Sequence, residues 1–461
     1  MSASEARASH RRLRISHVGL RGVVGNGLTA AHVLEFASAF ATFLDSPGPV
    51  ILGRDPRTSG GMLREGVIAG LMACGRDVVD LGLASTPVIQ HAIRRLAAAG
   101  GVSIGASHNS AEWNALKFFG PNGTYLSTAE AGELLDIYHL KRFAYARYQD
   151  LGRLREQEEA IGEYLKELAA AYDFDSLKRF RVVVDCCNGT SSLLLRRMNQ
   201  DYGFAFILIN ERIEGARFAH EPSTTARMVG LQLAPLIQPL RADVGFLFDV
   251  DSDRVAIATE RGEAVSEEMI LPMLADHHLP ESPGKLVITN LSTTALLKDV
   301  AARHGGEVIR VPVGRQAAMD ALAIHGMDRI ALAGEGTGAV MLARFRFIYD
   351  GIASMLSILT MMAARGRPLG EIAGAYPRYS MLKGEVPLAS PRIPALLMEL
   401  QREYGDGEAN AADGLRIEWA DRWFHIRVSQ TEPIVRVICE QRGDPPKELF
   451  RTLMDRVRRL S

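Results

Sequence analysis

The sequence predicts a multi-domain α/β protein closed by a smaller α+β unit, and three observations carry that prediction. A strand–turn–helix–glycine–strand pattern occurs three times, the chain runs to 461 residues, and short alternating strands take over after Pro377. A chain of this length exceeds one ordinary core. Strand–helix–strand units of this size belong in mixed or parallel sheets with helices on both faces.

The first copy starts at Pro49-Val-Ile-Leu-Gly, continues through a helix near Met62–Cys74 and Gly75, and ends at Asp77-Val-Val-Asp-Leu. The second runs from Phe180-Arg-Val-Val-Val-Asp through the turn Asn188-Gly189-Thr190 to Phe204-Ala-Phe-Ile-Leu-Ile. The third begins at Lys285-Leu-Val-Ile-Thr, turns at Ser292-Thr293-Thr294, passes Gly305-Gly306 and ends at Val308-Ile-Arg-Val. Spread along so long a chain, they predict three similar domains rather than one large sheet. Beyond Pro377 a loop over Gly405–Gly414 precedes strands at Leu415–Trp419, Trp423–Val428 and Ile434–Cys439. A helix follows, with Asp444 as its expected cap, Pro445 just inside, and Leu449, Leu453, Val457 and Leu460 on one face.

Composition narrows the function. Apolar and charged fractions of 47% and 23% are those of a soluble globular protein. Lys and Arg number 53 against 54 Asp and Glu, so the whole molecule offers no electrostatic case for nucleic acid or membrane. Cys74, Cys186, Cys187 and Cys439 lack metal-ligand spacing and read as reduced thiols of a cytoplasmic protein. Arg7, Arg11, Arg12 and Arg14 precede no apolar run, so the first fourteen residues read as a short tail rather than a secretory leader. No stretch is long and apolar enough to span a bilayer.

The strongest local signal is Asp249-Val-Asp251-Ser-Asp253-Arg254, reached through the apolar run Val244–Phe248. Carboxylates this close repel unless a cation or protons compensate, and hard divalent ions prefer oxygen, so a Mg²⁺ site at a strand end is expected. An EF-hand loop would place Glu260 at position twelve, but it needs glycine at position six, where Arg254 stands. Gly105-Ala106-Ser107-His108-Asn109-Ser110 sets a serine on a turn of small residues, fit for nucleophilic chemistry or for plain capping, with Lys117 beyond. Arg427-Val-Ser429-Gln430-Thr431-Glu432-Pro433, with Arg436, gathers hydroxyls and guanidinium groups suited to phosphate. Gly334-Glu335-Gly336-Thr337-Gly338 has no Walker lysine and better suits sugar hydroxyls. Gly19-Leu20-Arg21-Gly22 is a basic turn with little meaning alone.

Taken in order, these segments resemble the α-D-phosphohexomutase superfamily over nearly the whole chain. Its serine loop, usually Thr-Ala-Ser-His-Asn-Pro, is similar to Gly105–Ser110, and its Asp-Gly-Asp-Gly-Asp-Arg loop to Asp249–Arg254. Its sugar loop resembles Gly334–Gly338, its phosphate loop Arg427–Pro433, and its Gly-Ile-Arg-Gly turn Gly19–Gly22; Gly53–Arg57 is also similar. The resemblance implies four domains around a central cleft, here divided as 1–150, 151–247, 248–372 and 373–461. It implies a phosphosugar mutase, monomeric or homodimeric, using Mg²⁺ and a hexose 1,6-bisphosphate activator and intermediate. Ser107 would carry the phosphoryl group, and Asp249, Asp251, Asp253 and a Ser107 phosphate oxygen would hold the metal. Lys117, His108 and Arg254 would assist proton transfer or stabilise charge. Arg427, Ser429, Gln430, Thr431 and Arg436 would grip the non-reacting phosphate, while Arg21, Glu335 and Thr337 would contact substrate.

Departures bear on the sugar. The family loop often ends Ser-Gly-His, whereas Thr337-Gly338-Ala339 lacks that histidine. A branch with Gly-Glu-Gly-Asn-Gly-Gly is the nearer likeness and points to glucosamine phosphate ahead of glucose and mannose phosphates. A phosphatase in which water intercepts the phosphoserine, and a non-catalytic phosphosugar binder, are the competing readings.

Overall fold

The computed structural model describes residues 13–17, 19–387, 392–429 and 434–460. Four sheets organise them. The first has seven strands, in spatial order Leu13–Ser16, Gly19–Val23, Trp113–Phe119, Gly100–Ile104, Val50–Arg54, Val78–Leu83 and Leu154–Glu156. Strands Gly100–Ile104, Val50–Arg54, Val78–Leu83 and Leu154–Glu156 run parallel, as the first repeat requires, and the rest pair antiparallel. Helix Gly60–Ala73 joins two parallel neighbours and packs closely on helix Ala30–Phe43. Gly70 permits that approach, since a Cβ there would sit 2.5 Å from the Leu34 carbonyl oxygen.

The second sheet is ordered Val255–Thr259, Val244–Phe248, Val182–Asp185, Ile207–Ile209, and the third Glu307–Val311, Leu286–Asn290, Ile330–Gly334, Val340–Leu342. The second and third repeats each supply a parallel pair to one of them. All four strands of the central apolar runs Val182–Asp185, Val244–Phe248, Leu286–Asn290 and Ile330–Gly334 are buried along their length, as expected of strands covered on both faces. The fourth sheet is wholly antiparallel: Tyr379–Pro387, Ile434–Arg442, Arg422–Val428, Leu415–Glu418, Glu408–Asn410. Helix Lys447–Arg458 lies on it through Leu453, Met454 and Val457, with Leu449 and Leu460 partly buried alongside.

Three expectations need correction. The aspartate loop, placed above in the 248–372 domain, turns a hairpin of the second sheet, because Val244–Phe248 pairs residue for residue with Val255–Thr259. Asp444 does not cap the last helix; Pro446 occupies the cap position without a side-chain bond. Pro445 and Pro446 supply no N–H, and the Lys447 N–H that Asp444 could accept from donates to Pro445 O at 2.8 Å instead. Arg14 belongs not to a tail but to strand Leu13–Ser16, with its guanidinium 4.9 Å from the Trp113 ring; Arg7, Arg11 and Arg12 lie outside the described residues.

One apolar cluster runs continuously from the first unit through the second and third, from Ile51 and Val79 to Phe246 and Leu356. The fourth unit has a separate core around Leu400, Phe424, Val437 and Leu453. All four cysteines are free thiols, three of them buried. Among the described residues no helix is long and apolar enough to cross a membrane.

Candidate active site

Loops from all four units converge on a cleft of about 450 Å³. Strand Gly100–Ile104 delivers Ser107 to its floor, 2% exposed and with φ of 49°. A serine in the left-handed region is held there by its surroundings at a cost of about 1–3 kcal/mol. The holder is Arg57, itself buried. It donates to the Ser107 carbonyl at 2.9 Å, to Asn109 O at 2.7 Å and to Ser110 O at 2.5 Å. Asp55 orients that guanidinium at 2.9 Å and accepts from Ala106 N at 3.3 Å. Gly105 makes room, since a Cβ there would lie 2.7 Å from an Asp55 oxygen.

Ser107 Oγ donates to Asp249 Oδ2 at 2.5 Å, across a sequence separation of 142 residues. Asp249, Asp251 and Asp253 are all buried, and ligand oxygens from the three lie within 4.8 Å of one another. Each is braced by more than one donor: Arg254 N also donates to Asp249 at 3.2 Å, and Thr86 Oγ1 to Asp251 at 3.3 Å. Lys117 Nζ binds Asp251 Oδ2 and sits 3.3 Å from Asp253 Oδ2, while Arg315 Nη2 reaches Asp253 Oδ2 at 2.7 Å. Asp251 Oδ1 and Asp253 Oδ1 are buried with no hydrogen-bond partner. Burial and the neighbouring charges of Asp253 and Asp251 push Asp249 well above the usual carboxylate range. Burial would raise Asp251 too, but the Lys117 ammonium outweighs it and holds Asp251 low. Clustered buried carboxylates with unpartnered oxygens fit a hard divalent cation. The EF-hand alternative fails: Glu260 accepts from Gly370 N at 2.9 Å, and strands flank the loop.

Above the serine stand cations. Arg21 Nη1 donates to Asn109 Oδ1 at 2.9 Å, and Arg254 Nη1 lies 3.4 Å from His108 Nδ1. Enclosure by the cleft walls, then the charges of Arg254 and Arg21, keep His108 well below the usual imidazole range, although its ring meets solvent in the cleft. Arg315 completes the group, with its guanidinium between Tyr125 and Tyr349 at 4.8 and 4.9 Å from the ring centroids. Sequence reasoning missed Arg315. The available signal was its place at the start of the helix just after the third repeat's last strand, where α/β sheets gather their functional groups.

Strand Ile330–Gly334 presents Glu335 and Thr337, whose Oγ1 donates to Glu335 at 3.4 Å. Thr224 Oγ1 supports the loop from behind through Thr337 O at 3.2 Å. Glu268, also overlooked, packs beneath Gly336 and accepts from Lys383 of the fourth unit at 2.8 Å. Arg427 and Arg436 line the far wall, with Arg427 Nε on Asp413 Oδ2 at 2.8 Å and Arg436 Nε 3.3 Å from Glu385. Ser429 is buried at the end of strand Arg422–Val428; Gln430 and Thr431 lie outside the described residues. The geometry thus gathers Ser107, His108, Lys117, Arg21, Arg254, Glu335, Thr337, Arg427 and Arg436 around one cleft, beside the aspartate triplet.

Family models match three of the units in order: phosphoglucomutase/phosphomannomutase, alpha/beta/alpha domain I over residues 14–144, domain II over 162–262 and domain III over 267–379. A probable phosphoglucosamine mutase of Pyrococcus abyssi is 33% identical over 446 residues, 96% of each chain. A phosphoglucomutase/phosphomannomutase of Thermococcus kodakarensis is 31% identical over 434 residues, 92% of this chain and 94% of the relative. Among solved structures, a phosphoglucomutase/phosphomannomutase family protein from Burkholderia thailandensis shares the fold, with a TM-score of 0.81 at 24% identity over 97% of each chain.

Proposed function

The chain belongs to the phosphoglucomutase/phosphomannomutase family, and on that premise we propose that it interconverts hexose 6-phosphate and hexose 1-phosphate through phosphorylated Ser107, with glucosamine phosphate as the preferred sugar. The observation that carries this reading is the 2.5 Å approach of Ser107 Oγ to Asp249 within a buried aspartate triplet. A phosphosugar binder has no use for either feature.

In the forward half-reaction the P–O bond at Ser107 breaks and a new one forms to the free hydroxyl of the bound hexose phosphate. The hydroxyl proton passes to a base beside Ser107, for which His108 is placed, and is returned to Ser107 Oγ as it leaves. The bisphosphate then turns over in the cleft and returns its other phosphoryl group to Ser107. Asp249, Asp251, Asp253 and a phosphoserine oxygen would hold Mg²⁺, which supplies charge neutralisation at the transferring group. Lys117, Arg254 and Arg21 add fixed positive charge around Ser107, and His108, held in its neutral form by enclosure and then by Arg254 and Arg21, is free to accept a proton. Arg427, Ser429 and Arg436, with Gln430 and Thr431, grip the phosphate that does not react, and Glu335 and Thr337 bind sugar hydroxyls. Exclusion of water from the phosphoserine by the bound sugar is what separates a mutase from a phosphatase.

The name of the Thermococcus relative favours a second reading, glucose or mannose phosphate as substrate, and a substrate panel separates the two. We place the enzyme in the cytoplasm, as a monomer or homodimer acting on small phosphosugars. The test is intact mass before and after incubation with glucose 1,6-bisphosphate and Mg²⁺, followed by peptide mapping. One added phosphate on the Ser107 peptide is expected. A protein that accepts none from glucose, mannose or glucosamine bisphosphates is not a mutase of this kind.

A further inference from the structure

The segment Gly405–Gly414 reads in sequence as a loop; in the structure its Glu408–Asn410 forms an edge strand, and the turn after it carries a carboxylate joined to two parts of the cleft. Asp413 Oδ2 accepts from Arg427 Nε at 2.8 Å and from Val313 N at 3.0 Å. Arg427 belongs to the fourth unit and Val313 to the third, so one oxygen atom bridges them. The backbone that carries the carboxylate is held from its own side as well. His425 Nε2 lies 2.7 Å from the Asp413 carbonyl oxygen, and Gly414 sits at φ +79° where a Cβ would fall 2.2 Å from Ile426 O. That glycine lets the loop press against strand Arg422–Val428, which carries Arg427.

The rest of this interface is polar in the same way. Arg416 Nη1 donates to Leu291 O at 2.6 Å, Ser292 Oγ meets His425 Nδ1 at 2.9 Å, and Ala295 N donates to Glu440 at 2.7 Å. Because the fourth unit has its own core, bonds of this kind fix where its phosphate-facing arginines stand. Asp413 engages Arg427 through Nε, leaving the paired Nη groups as the fork that fits a phosphate. Val313 also lies two residues before Arg315, which grips Asp253 at 2.7 Å.

We propose that Asp413 is a positioning residue: it holds Arg427 in the orientation that binds the non-reacting phosphate, and it does so in the pose where the fourth unit is docked on Val313. The inference rests on the phosphosugar reading above. It also ties the phosphate clamp to the loop that braces the metal site, so both ends of a bound phosphosugar meet groups set by one docking event.

Calorimetric titration of the full chain with glucosamine 6-phosphate tests this without requiring turnover. Asp413→Ala is expected to raise Kd about tenfold or more, Arg427→Ala similarly, and the double variant no further than Arg427→Ala alone, since residues acting as one unit are non-additive. Asp413→Asn keeps the shape and an acceptor, so it folds where Asp413→Ala does not, and it should weaken binding by a smaller factor. An unchanged or lowered Kd in both Asp413 variants, an additive loss in the double variant, or no binding by the wild type overturns the inference. Wild-type protein that binds the phosphosugar but never transfers phosphate to Ser107 overturns the mutase reading and leaves this one standing.

Discussion

Replacing Arg57 by methionine removes a fully buried guanidinium that pairs with Asp55 at 2.9 Å and donates to three carbonyls of the serine loop. Taking one partner from a buried ion pair costs about 3–5 kcal/mol, because the other is left charged and dry. That is a large share of a domain's about 5–15 kcal/mol. The loop should then relax from its left-handed Ser107 conformer, and displacing Oγ from Asp249 by the equivalent of about 1.4–2.8 kcal/mol slows phosphoryl transfer about ten- to a hundredfold. Burial already pushes Asp55 above the usual carboxylate range, and Arg57 pulls it back. Without Arg57 the folded-state pKa climbs further above the unfolded value. Such a group favours the fold below its unfolded pKa of about 3.9 and loses that contribution as pH rises through the folded one. The Arg57→Met penalty is therefore greatest near neutrality and shrinks in acid. Asp55→Asn/Arg57→Met, lacking the stranded charge, should recover most of the loss and show little pH dependence. Denaturant unfolding with hydrogen exchange on the 100–119 peptides gives stability, and quenched intact mass gives the rate of Ser107 phosphorylation. If single and double variants are equally unstable at pH 7, or the penalty does not shrink in acid, the buried-pair argument is wrong.

Ser107→Ala should abolish mutase turnover while glucosamine 6-phosphate still binds near wild-type strength; residual turnover would move the nucleophile elsewhere. Gly336→Ala places a Cβ 2.1 Å from Glu268 Oε2, and that carboxylate is held by Thr294 N at 3.1 Å and Lys383 at 2.8 Å. The sugar loop must move instead, and overpacking of about 1–3 kcal/mol, if carried wholly by substrate binding, corresponds to a rise in KM of roughly five- to 160-fold, read by steady-state kinetics. His425 is buried and neutral, its pKa lowered to about 4 first by burial and then by Arg416 and Arg427, against the pull of Asp413. Its unfolded form protonates below about pH 6.5, so folded stability falls by about 1.4 kcal/mol per pH unit from there towards pH 4. His425→Gln should remove that share of the slope in unfolding experiments, leaving the shares of His91 and His278, which burial lowers to about 4 and about 3.

The sheets were legible because each repeat is local: an apolar run, a turn, an amphipathic helix and a glycine fall within some thirty residues. The aspartate triplet and Ser107 loop were legible for the same reason, as each is a short segment with unusual chemistry. Illegible were the residues that act across long separations. Arg57 braces carbonyls some fifty positions away, Arg315 meets Asp253 over 62, and Asp413 reaches Val313 over 100. No periodicity links such pairs, and an arginine in a loop looks the same in sequence whether it faces solvent or a buried carboxylate. The misplaced domain boundary has a related cause: Val244–Phe248 reads equally well as the end of one unit or the start of the next. Only its pairing with Val255–Thr259 decides.

The division of cores bears on how such a site can work. Ser107, the aspartates and the sugar loop stand on three units that share one apolar core, so their relative positions are set by close packing that deforms little. Phosphoryl transfer asks for that, since small misplacements of the reacting atoms cost rate. The clamp has a different duty, because it must take a phosphate from either end of a bisphosphate that turns over between transfers. Its unit is joined to the third through bonds such as those of Arg416, His425, Glu440 and Asp413. With Tyr379 on Asp299 and Lys383 on Glu267 and Glu268 these make seven such bonds, and at about 0.5–1.5 kcal/mol net apiece they amount to about 4–10 kcal/mol. Micromolar binding of a phosphosugar is worth about 8 kcal/mol. Release and re-docking of the clamp are therefore of the same order as what ligand binding supplies, whereas separating the three units that share a core is far costlier.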